Sequence, residues 1–470
     1  MSGRPQVIVM GGGLAGIAAC ERLSRTPSRS FDILLLEGRP HLGGRVGSYY
    51  DPDIGREIDT GQHLFLSCYT GTLTLLEALG TRSGLVFYDR LYLPLWDRER
   101  GLHPLDIPGS DNPVALAGGL LQYEGLPFLS RLAFLALSRA VPKNDNDVDH
   151  LSAYEFLLRA GQREEVIERF WELVILSATN LPSRRVSAAI LVRILKESLL
   201  RGGRHSRPGY NAVPLSELFA LPAMSLFKKR GVTVRTKTRI VGFSESQGRV
   251  TGVTTAQEAL PLGRSDHLLS ALPPWAFEKI VPLSLHQTPL VDQMSRLSYA
   301  SPILSVNLLF SEPVRLPLIT GFHQSAVHWI FNREAMDQRL TPEIRPWFDW
   351  SVQVEDDFYP TRVASATVSG ADDLLALPDS ELGALCLAHI KKIDPTTPAS
   401  VKSVRAVRDR FATPVLGPGQ STLRPEARTS LPNLWIAGDT TDTGLPATME
   451  GAIRSGYRAA ELILKALGER

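Results

Sequence analysis

The segment that decides the fold reads VIVMGGGLAGIAACERL over residues 7–23 and continues, after a polar loop, as ILLLE over residues 33–37. The two apolar runs are typical of buried parallel β-strands, and the run after the glycines is typical of a short α-helix. The order is strand, glycine turn, helix, strand and acid, which predicts a dinucleotide site. We expect the carboxylate of Glu37 to accept hydrogen bonds from a ribose.

The residues of the glycine turn have separate expected roles. Gly11 would allow the tight turn after the first strand, Gly13 would let the backbone approach a pyrophosphate, and Gly16 would let helix and strand pack closely. The helix start at Leu14 and Ala15 would present free N–H groups and a positive dipole end to the phosphates.

Composition and length limit the remaining possibilities. The chain has 470 residues, enough for two or three domains, with 43% hydrophobic and 21% charged residues. Its formal net charge of +2 gives no reason to expect nucleic acid as a partner. Cys20, Cys68 and Cys386 form no CxxC pair, which argues against a disulfide framework or a metal site and favours a reducing, cytoplasmic compartment. No apolar run is long enough to span a bilayer.

A second glycine motif, GRPHLGGR, follows the predicted ribose-binding acid at residues 38–45. Gly43 and Gly44 would bring the backbone against a pyrophosphate, and Arg45 would donate a charge-assisted hydrogen bond to it or to nearby carbonyls. A simple nicotinamide dehydrogenase has no need of this element. The segment resembles the flavoprotein superfamily of amine oxidases, protoporphyrinogen oxidases and carotenoid desaturases, which implies FAD as cofactor. The resemblance adds two residues of this loop to the FAD site, Gly38 and Arg39.

The C-terminal segment is the second strong signal. LWIAGD, residues 434–439, predicts a strand that ends in Gly438 and Asp439, and TMEGAIRSG, residues 448–456, predicts the start of a last helix. The positive end of that helix would favour the flavin edge that gains negative charge on reduction. The resemblance implies further FAD contacts from Thr448, Met449 and Ala452, with Ile240 packed beside the adenine.

The sequence IDTGQH, residues 58–63, narrows the resemblance. In the superfamily, a segment of this kind passes close to the flavin, which places Asp59, Gly61, Gln62 and His63 near the cofactor. Together with the predicted helix over residues 69–80, the motif is similar to the squalene-associated desaturase-like proteins, the hydroxysqualene dehydroxylases. The alternative for His63 is an ordinary structural histidine.

The resemblance implies a reaction in which reduced FAD converts hydroxysqualene to squalene. An amine substrate is disfavoured, because Thr448 stands where amine oxidases place an aromatic side chain. The departing hydroxyl needs a proton donor, for which His63 is the first candidate and Asp59 the second. Two alternatives stay open: a carotenoid desaturase that transfers hydride to FAD, and a non-catalytic flavin-binding scaffold in a terpenoid membrane complex.

The predicted fold class is α/β, with a Rossmann-like FAD-binding domain and an interleaved α+β substrate domain with a helical cap. Tyr210 and Trp329 are candidate walls of a substrate tunnel, with core packing as the alternative. Residues 113–141 predict two short apolar helices, either cap-domain core or a face that contacts a membrane. We therefore expect peripheral membrane association, and other squalene-pathway enzymes as further partners. The expected FAD-binding parts are residues 1–84, 205–274 and 431–470, and the expected substrate parts are residues 85–204 and 275–430.

Overall fold

The computed structural model describes residues 4–337, 358–397 and 400–469. In chain order the strands are β1 (Gln6–Met10), β2 (Asp32–Leu36), β3 (Ser48–Asp51), β4 (Arg56–Asp59), β5 (Phe65–Leu66), β6 (Leu85–Phe87), β7 (Leu91–Asp97), β8 (Gly101–Ile107), β9 (Pro208–Asn211), β10 (Thr233–Arg235), β11 (Ile240–Ser246), β12 (Arg249–Thr255), β13 (Ala259–Pro261), β14 (His267–Ser270), β15 (Ala300–Leu316), β16 (Ile319–Phe322), β17 (Trp329–Asn332), β18 (Tyr359–Ser369), β19 (Val401–Pro414) and β20 (Leu434–Ile436).

The helices are α1 (Leu14–Leu23), α2 (Thr70–Leu79), α3 (Pro113–Gln122), α4 (Phe128–Ala140), α5 (Ala153–Arg159), α6 (Glu164–Val166), α7 (Glu172–Thr179), α8 (Ala188–Glu197), α9 (Leu221–Lys229), α10 (Pro274–Phe277), α11 (Pro289–Arg296), α12 (Arg333–Met336), α13 (Asp379–Ile393) and α14 (Met449–Ala466). A π-helical turn over Ile167–Trp171 joins α6 to α7, and another over Ser216–Ala220 leads into α9. Within the described residues, no helix is both long and apolar enough to cross a bilayer.

A five-stranded parallel sheet carries the predicted nucleotide motif. Its strand order is β10-β2-β1-β14-β20, and each neighbouring pair is parallel. β1, β14 and β20 are short and largely buried, as is usual where helices cover a parallel sheet, whereas the edge strand β10 is partly exposed. Helices α1 and α14 pack against each other on one face. This arrangement confirms the α/β fold class that the N-terminal segment predicts.

A second sheet has seven strands in the order β19-β15-β18-β17-β16-β7-β8. All its neighbouring pairs are antiparallel except β16 and β7, which run parallel. Helix α13 covers part of this sheet through the core that includes Leu382, Cys386 and Ile390. The strands of this second sheet come from two separate parts of the chain, β7–β8 and β15–β19. Between these parts, the chain returns to the parallel sheet to form β10 and β14.

Most predicted elements of the second sheet are confirmed. The apolar runs over residues 303–310 and 363–368 each predict a strand, and they form part of the longer β15 and of β18. The sequence over 380–392 predicts a helix, which corresponds to α13. The sequence over 333–339 also predicts a helix. This is α12, which ends at Met336, and residues 338 and 339 lie outside the described residues.

Candidate functional site

The glycine turn after β1 has the geometry that a dinucleotide site requires. Gly11 has a φ of +102°, which disfavours any other residue. A Cβ at Gly16 would lie 2.0 Å from the carbonyl oxygen of Gly11, so the helix approaches the turn more closely than alanine would allow. The second glycine pair lies beside the first, because Gly43 N–H donates to the Gly12 carbonyl over 2.8 Å and Gly43 forms a β-bridge with Gly13.

Gly13 supplies the test of whether a diphosphate fits. A Cβ at Gly13 would meet nothing closer than the Cα of Gly44, at 3.9 Å, so this face of the backbone is open. Gly13 is also the N-cap of α1 and offers no side-chain cap, which leaves the first-turn N–H groups of the helix without a side-chain acceptor. An open glycine surface beside an uncapped helix start fits a diphosphate.

The carboxylate of Glu37 lies at the end of β2 and faces the same turn. It accepts hydrogen bonds from the Gly12 and Arg39 N–H groups, both over 2.7 Å. Arg39 in turn donates to the Gly44 carbonyl over 2.6 Å. Next to this corner, a Cβ at Gly38 would lie 3.8 Å from Arg239 Cα, and the half-buried Ile240 follows as the first residue of β11. The predicted ribose and adenine residues thus lie at one corner of the sheet.

Arg45 connects the second glycine loop to the C-terminal segment. Its guanidinium donates to Asp439 Oδ1 and to the Ala412 carbonyl, both over 2.7 Å, and lies 5.7 Å from the centre of the Trp275 ring. Burial lowers the pKa of Arg45, but the Asp439 carboxylate outweighs this effect and raises the pKa overall. The Ala412 carbonyl is thus one of the nearby carbonyls that we expected as acceptors for Arg45.

The C-terminal segment reaches the same edge of the sheet. β1, β2 and β20 belong to one parallel sheet, so the glycine turn, Glu37 and Gly438 all follow carboxyl ends of strands, where ligands bind in such sheets. Gly438 has a φ of +138°, and a Cβ there would meet no atom within 4 Å. Thr448 caps α14 by accepting a hydrogen bond from Gly451 N–H over 3.2 Å. Met449 and Ala452 lie in the first turn of α14.

Two charged residues that the sequence did not single out stabilise this segment. Arg424 is buried and donates to the carbonyls of Asp439, Thr440, Thr441 and Leu445, and burial lowers its pKa to about 10. Glu450, in the first turn of α14, is buried against the start of α2 and accepts from the Gly71 and Thr72 N–H groups over 2.8 Å. Glu450 lies within the quoted helix motif, whereas Arg424 had no sequence signal.

The acid, glycine, amide and imidazole of residues 59–63 lie in different environments. Asp59 is buried, and its carboxylate accepts from Ser48 Oγ (2.7 Å), Asn211 Nδ2 (2.8 Å), Leu215 N–H (3.0 Å) and Arg333 Nη2 (3.3 Å). These four donors occupy both oxygens of the carboxylate, so its contacts do not support the predicted role of Asp59 as a proton donor.

His63 is half-buried, and no hydrogen bond to its ring is present among the described residues. Burial lowers the pKa of His63, the Asp59 carboxylate partly opposes this, and the Arg45 charge lowers it further, so the pKa lies below its ordinary value. The protonated ring is therefore less populated at neutral pH than in a free imidazole. This leaves His63 as the titratable candidate beside the cofactor site, while the neighbouring Gly61 and Gln62 contribute backbone and an amide.

The two predicted tunnel walls are core residues. The ring of Tyr210 is buried and packs edge-on against Tyr88, with ring centres 6.2 Å apart. Trp329 is buried and donates its indole N–H to Ser177 Oγ over 2.8 Å. Both belong to the large hydrophobic core of the second sheet and its helices. Their contacts favour the core-packing alternative, and a tunnel role for either stays a prediction.

Comparison with known proteins agrees with this geometry. Residues 14–464 match the model of a family described as flavin containing amine oxidoreductase. A hydroxysqualene dehydroxylase from Rhodopseudomonas palustris is 29% identical, over 98% of each chain. A 15-cis-phytoene desaturase from Synechococcus elongatus is 22% identical, over 98% of this chain and 96% of its own. The structure of cyclohexylamine oxidase from Brevibacterium oxydans has a TM-score of 0.69 at 17% identity and covers 99% of this chain and 100% of its own.

Proposed function

This chain belongs to the flavin-containing amine oxidoreductase family and is an FAD-dependent oxidoreductase, and we propose that it reductively dehydroxylates hydroxysqualene to squalene. The observation that carries the proposal is similarity over nearly the whole chain to proteins named hydroxysqualene dehydroxylase, at 27–29% identity. Thr448 adds support, because its hydroxyl caps α14 at the position where an amine oxidase has an aromatic side chain.

Bound reduced FAD supplies the hydride. The reaction breaks the allylic C–O bond, forms a C–H bond with that hydride and releases the hydroxyl as water after it takes one proton. We assign that proton to His63, which regains it from solvent between turnovers. The Asp59 carboxylate instead pairs with Arg333, and its charge favours the protonated form of His63.

We propose further that the protein binds a membrane surface from the cytoplasmic side, since a C30 hydrocarbon substrate is insoluble in water. Helix α4 is apolar on two faces. Phe134 and Leu137 are buried in the core, whereas Phe128 and Leu129 are 62% and 61% exposed. In α3, Val114 is 74% exposed. Exposed apolar groups on two adjacent short helices favour shallow insertion into a lipid surface.

The test has two anaerobic arms, the photoreduced protein with hydroxysqualene and the oxidised protein with phytoene, each followed by mass spectrometry of the extracted lipids. The expected product is squalene, formed in proportion to the reduced flavin consumed, with phytoene unchanged. A product with lengthened conjugation, formed from phytoene by the oxidised protein, would assign the chain to the desaturases instead, to which it is 22–23% identical. No turnover of either lipid by FAD-loaded protein would favour a non-catalytic scaffold.

A further inference from the structure

A chain of hydrogen bonds leads from Asp59 to Gln62 through a residue that the proposed reaction does not use. Asn211, the last residue of β9, donates from Nδ2 to Asp59 Oδ2 over 2.8 Å and to the Val213 carbonyl over 2.9 Å. Gln62 Nε2 donates to Asn211 Oδ1 over 2.8 Å. All three side chains are buried, and that of Asn211 is completely inaccessible.

The chemistry of the partners fixes the orientation of both amides. The Val213 carbonyl can only accept, so the NH2 group of Asn211 must face Val213 and, on the same side, Asp59. The oxygen of Asn211 must then face Gln62, which in turn has to present its NH2 group. The amide oxygen of Gln62 is left pointing away from Asn211.

The backbone next to Gln62 contacts the second glycine loop. Thr60, two residues earlier, donates its N–H to the Gly47 carbonyl over 2.9 Å and its hydroxyl to the Arg45 carbonyl over 3.3 Å. On the other side, a Cβ at Gly61 would lie 3.6 Å from Ser305 Oγ in β15 of the second sheet. The Gln62 segment therefore lies between the glycine loop and the second sheet.

The amide oxygen of Gln62 accepts no hydrogen bond from any described residue, although the side chain is only 8% exposed. This oxygen is not fully enclosed by protein atoms, so it borders accessible space. Leaving a largely buried acceptor without a donor costs free energy. A ligand that brings an N–H or O–H group to this point would recover it.

We infer that Asn211 is a positioning residue, which holds Gln62 with its Oε1 presented to a hydrogen-bond donor of a bound ligand. The donor has one of two sources: the N–H of the flavin ring, or the hydroxyl of the prenyl substrate, the second of which rests on the proposed function. Asn211 touches neither ligand and acts only through Gln62.

A double-mutant cycle tests this inference, with Gln62→Met, Asn211→Ala and the double variant. Gln62→Met keeps the side-chain length and removes the acceptor. If Asn211 acts through Gln62, the double variant is no worse than Gln62→Met alone, and the effects are strongly non-additive. Asn211→Ser is the substitute where Asn211→Ala does not fold, because its hydroxyl can still donate to Asp59.

Two measurements separate the two sources of the donor. For a flavin donor, Gln62→Met and Asn211→Ala each weaken FAD binding by the apoprotein about 5- to 10-fold and shift the flavin absorption spectrum. For a substrate donor, FAD affinity and spectrum stay unchanged, and the dissociation constant of hydroxysqualene for the oxidised holoprotein rises by a similar factor. Failure of the wild type to bind hydroxysqualene would count against the proposed function, and the FAD measurements then decide this inference alone.

The matched control is Asn433→Ala. Asn433 is also completely buried, and it exchanges hydrogen bonds with Val250 and donates to the Asp266 carbonyl, without contact to Gln62. Its loss should lower thermal stability while leaving ligand affinities additive with Gln62→Met. The inference is overturned if Asn211→Ala and Gln62→Met are additive in both affinities, or if neither affinity changes.

Discussion

The missing side chain of Gly13 illustrates how much one residue can determine in this site. A Cβ there meets only open space, with Gly44 Cα at 3.9 Å, so the chain itself tolerates a larger residue. We expect Gly13→Val to fold, because its φ of −71° suits any residue, yet to lose FAD, because the valine methyls occupy the diphosphate position. Flavin released on denaturation measures the loss, and Gly118→Val, which also faces open space, is the control. Retention of FAD by Gly13→Val would contradict this reading of the turn.

His63 gives a prediction in pH. The imidazole donates its proton only when charged, and burial and the Arg45 charge lower its pKa below the ordinary value. Single-turnover oxidation of reduced flavin by hydroxysqualene should therefore slow as pH rises through that pKa. His63→Ala should keep its flavin spectrum, lose roughly 100-fold in rate and lose this pH dependence. His150→Ala, at an exposed histidine, is the control. An unchanged rate in His63→Ala would show that His63 is not the proton donor and would favour a bound water in that role.

What the sequence reveals at this scale depends on whether a role is local. Gly11 and Gly16 could be identified because their constraints arise within one turn of chain. The partners of Asp59 could not, since Asn211 and Arg333 are 152 and 274 residues away in sequence. A buried acid without these partners reads as a candidate proton donor, and only the fold reveals that its oxygens are occupied.

At the scale of single elements, α4 separates two readings of an apolar helix. Phe128, Leu129 and Leu132 point outward, and full burial of each would contribute about 1.5–3 kcal/mol. We expect Leu129→Glu with Leu132→Glu to reduce cosedimentation with anionic liposomes at least 10-fold while FAD stays bound. Leu283→Glu, at a leucine that is 84% exposed outside α3 and α4, should bind as the wild type does. If the wild-type protein does not cosediment with liposomes, α3 and α4 are better interpreted as part of the cap-domain core.

Glu450 joins two elements that the sequence treats separately. It lies in the first turn of α14, yet its carboxylate accepts from two N–H groups of α2 and from Arg454 over 2.6 Å. Glu450→Ala leaves these donors buried and Arg454 without its partner, so we expect a loss of about 3 kcal/mol in the free energy of unfolding. Urea denaturation measures it. Glu461→Ala, which breaks only the exposed pair with Arg22, should cost less than about 1 kcal/mol. Equal losses of unfolding free energy in the two variants would show that Glu450 contributes no more than an exposed ion pair.

Elements were predictable where the apolar pattern was clear. β1 and β2 are continuous apolar runs because they are buried in the middle of a parallel sheet, and α13 has buried residues at helical spacing because one face of it packs on a sheet. The joining of β7 and β8 to strands more than 200 residues later could not be predicted. Strand pairing across such a distance depends on the complete fold, and the sequence of a short apolar strand does not specify which strand it pairs with.

At the scale of the whole molecule, the two large sheets are interleaved along the chain. The parallel sheet takes strands from residues 6–36, 233–270 and 434–436, while the seven-stranded sheet takes them from 91–107 and 300–414. Ion pairs also tie the separate two-stranded sheet of β3 and β4 to the second part of the chain: Arg405 of β19 contacts Asp51 of β3 over 2.8 Å, and Arg333 of α12 contacts Asp59 of β4. Neither sheet is complete without segments on both sides of the other, so independent unfolding of either is disfavoured.

This interleaving leads to a prediction about heat denaturation of the holoprotein. FAD binds the folded chain, so at 100 times its dissociation constant it should stabilise the protein by about 2.7 kcal/mol. An unfolding entropy of about 2.1 cal/mol/K per residue makes that roughly a 3 °C rise in the midpoint for a chain of this length. Because the sheets share their chain, calorimetry should give one transition, and added FAD should move all of it. Two transitions, of which FAD moved only one, would mean that the seven-stranded sheet unfolds independently of the cofactor site despite the ion pairs to Arg405 and Arg333.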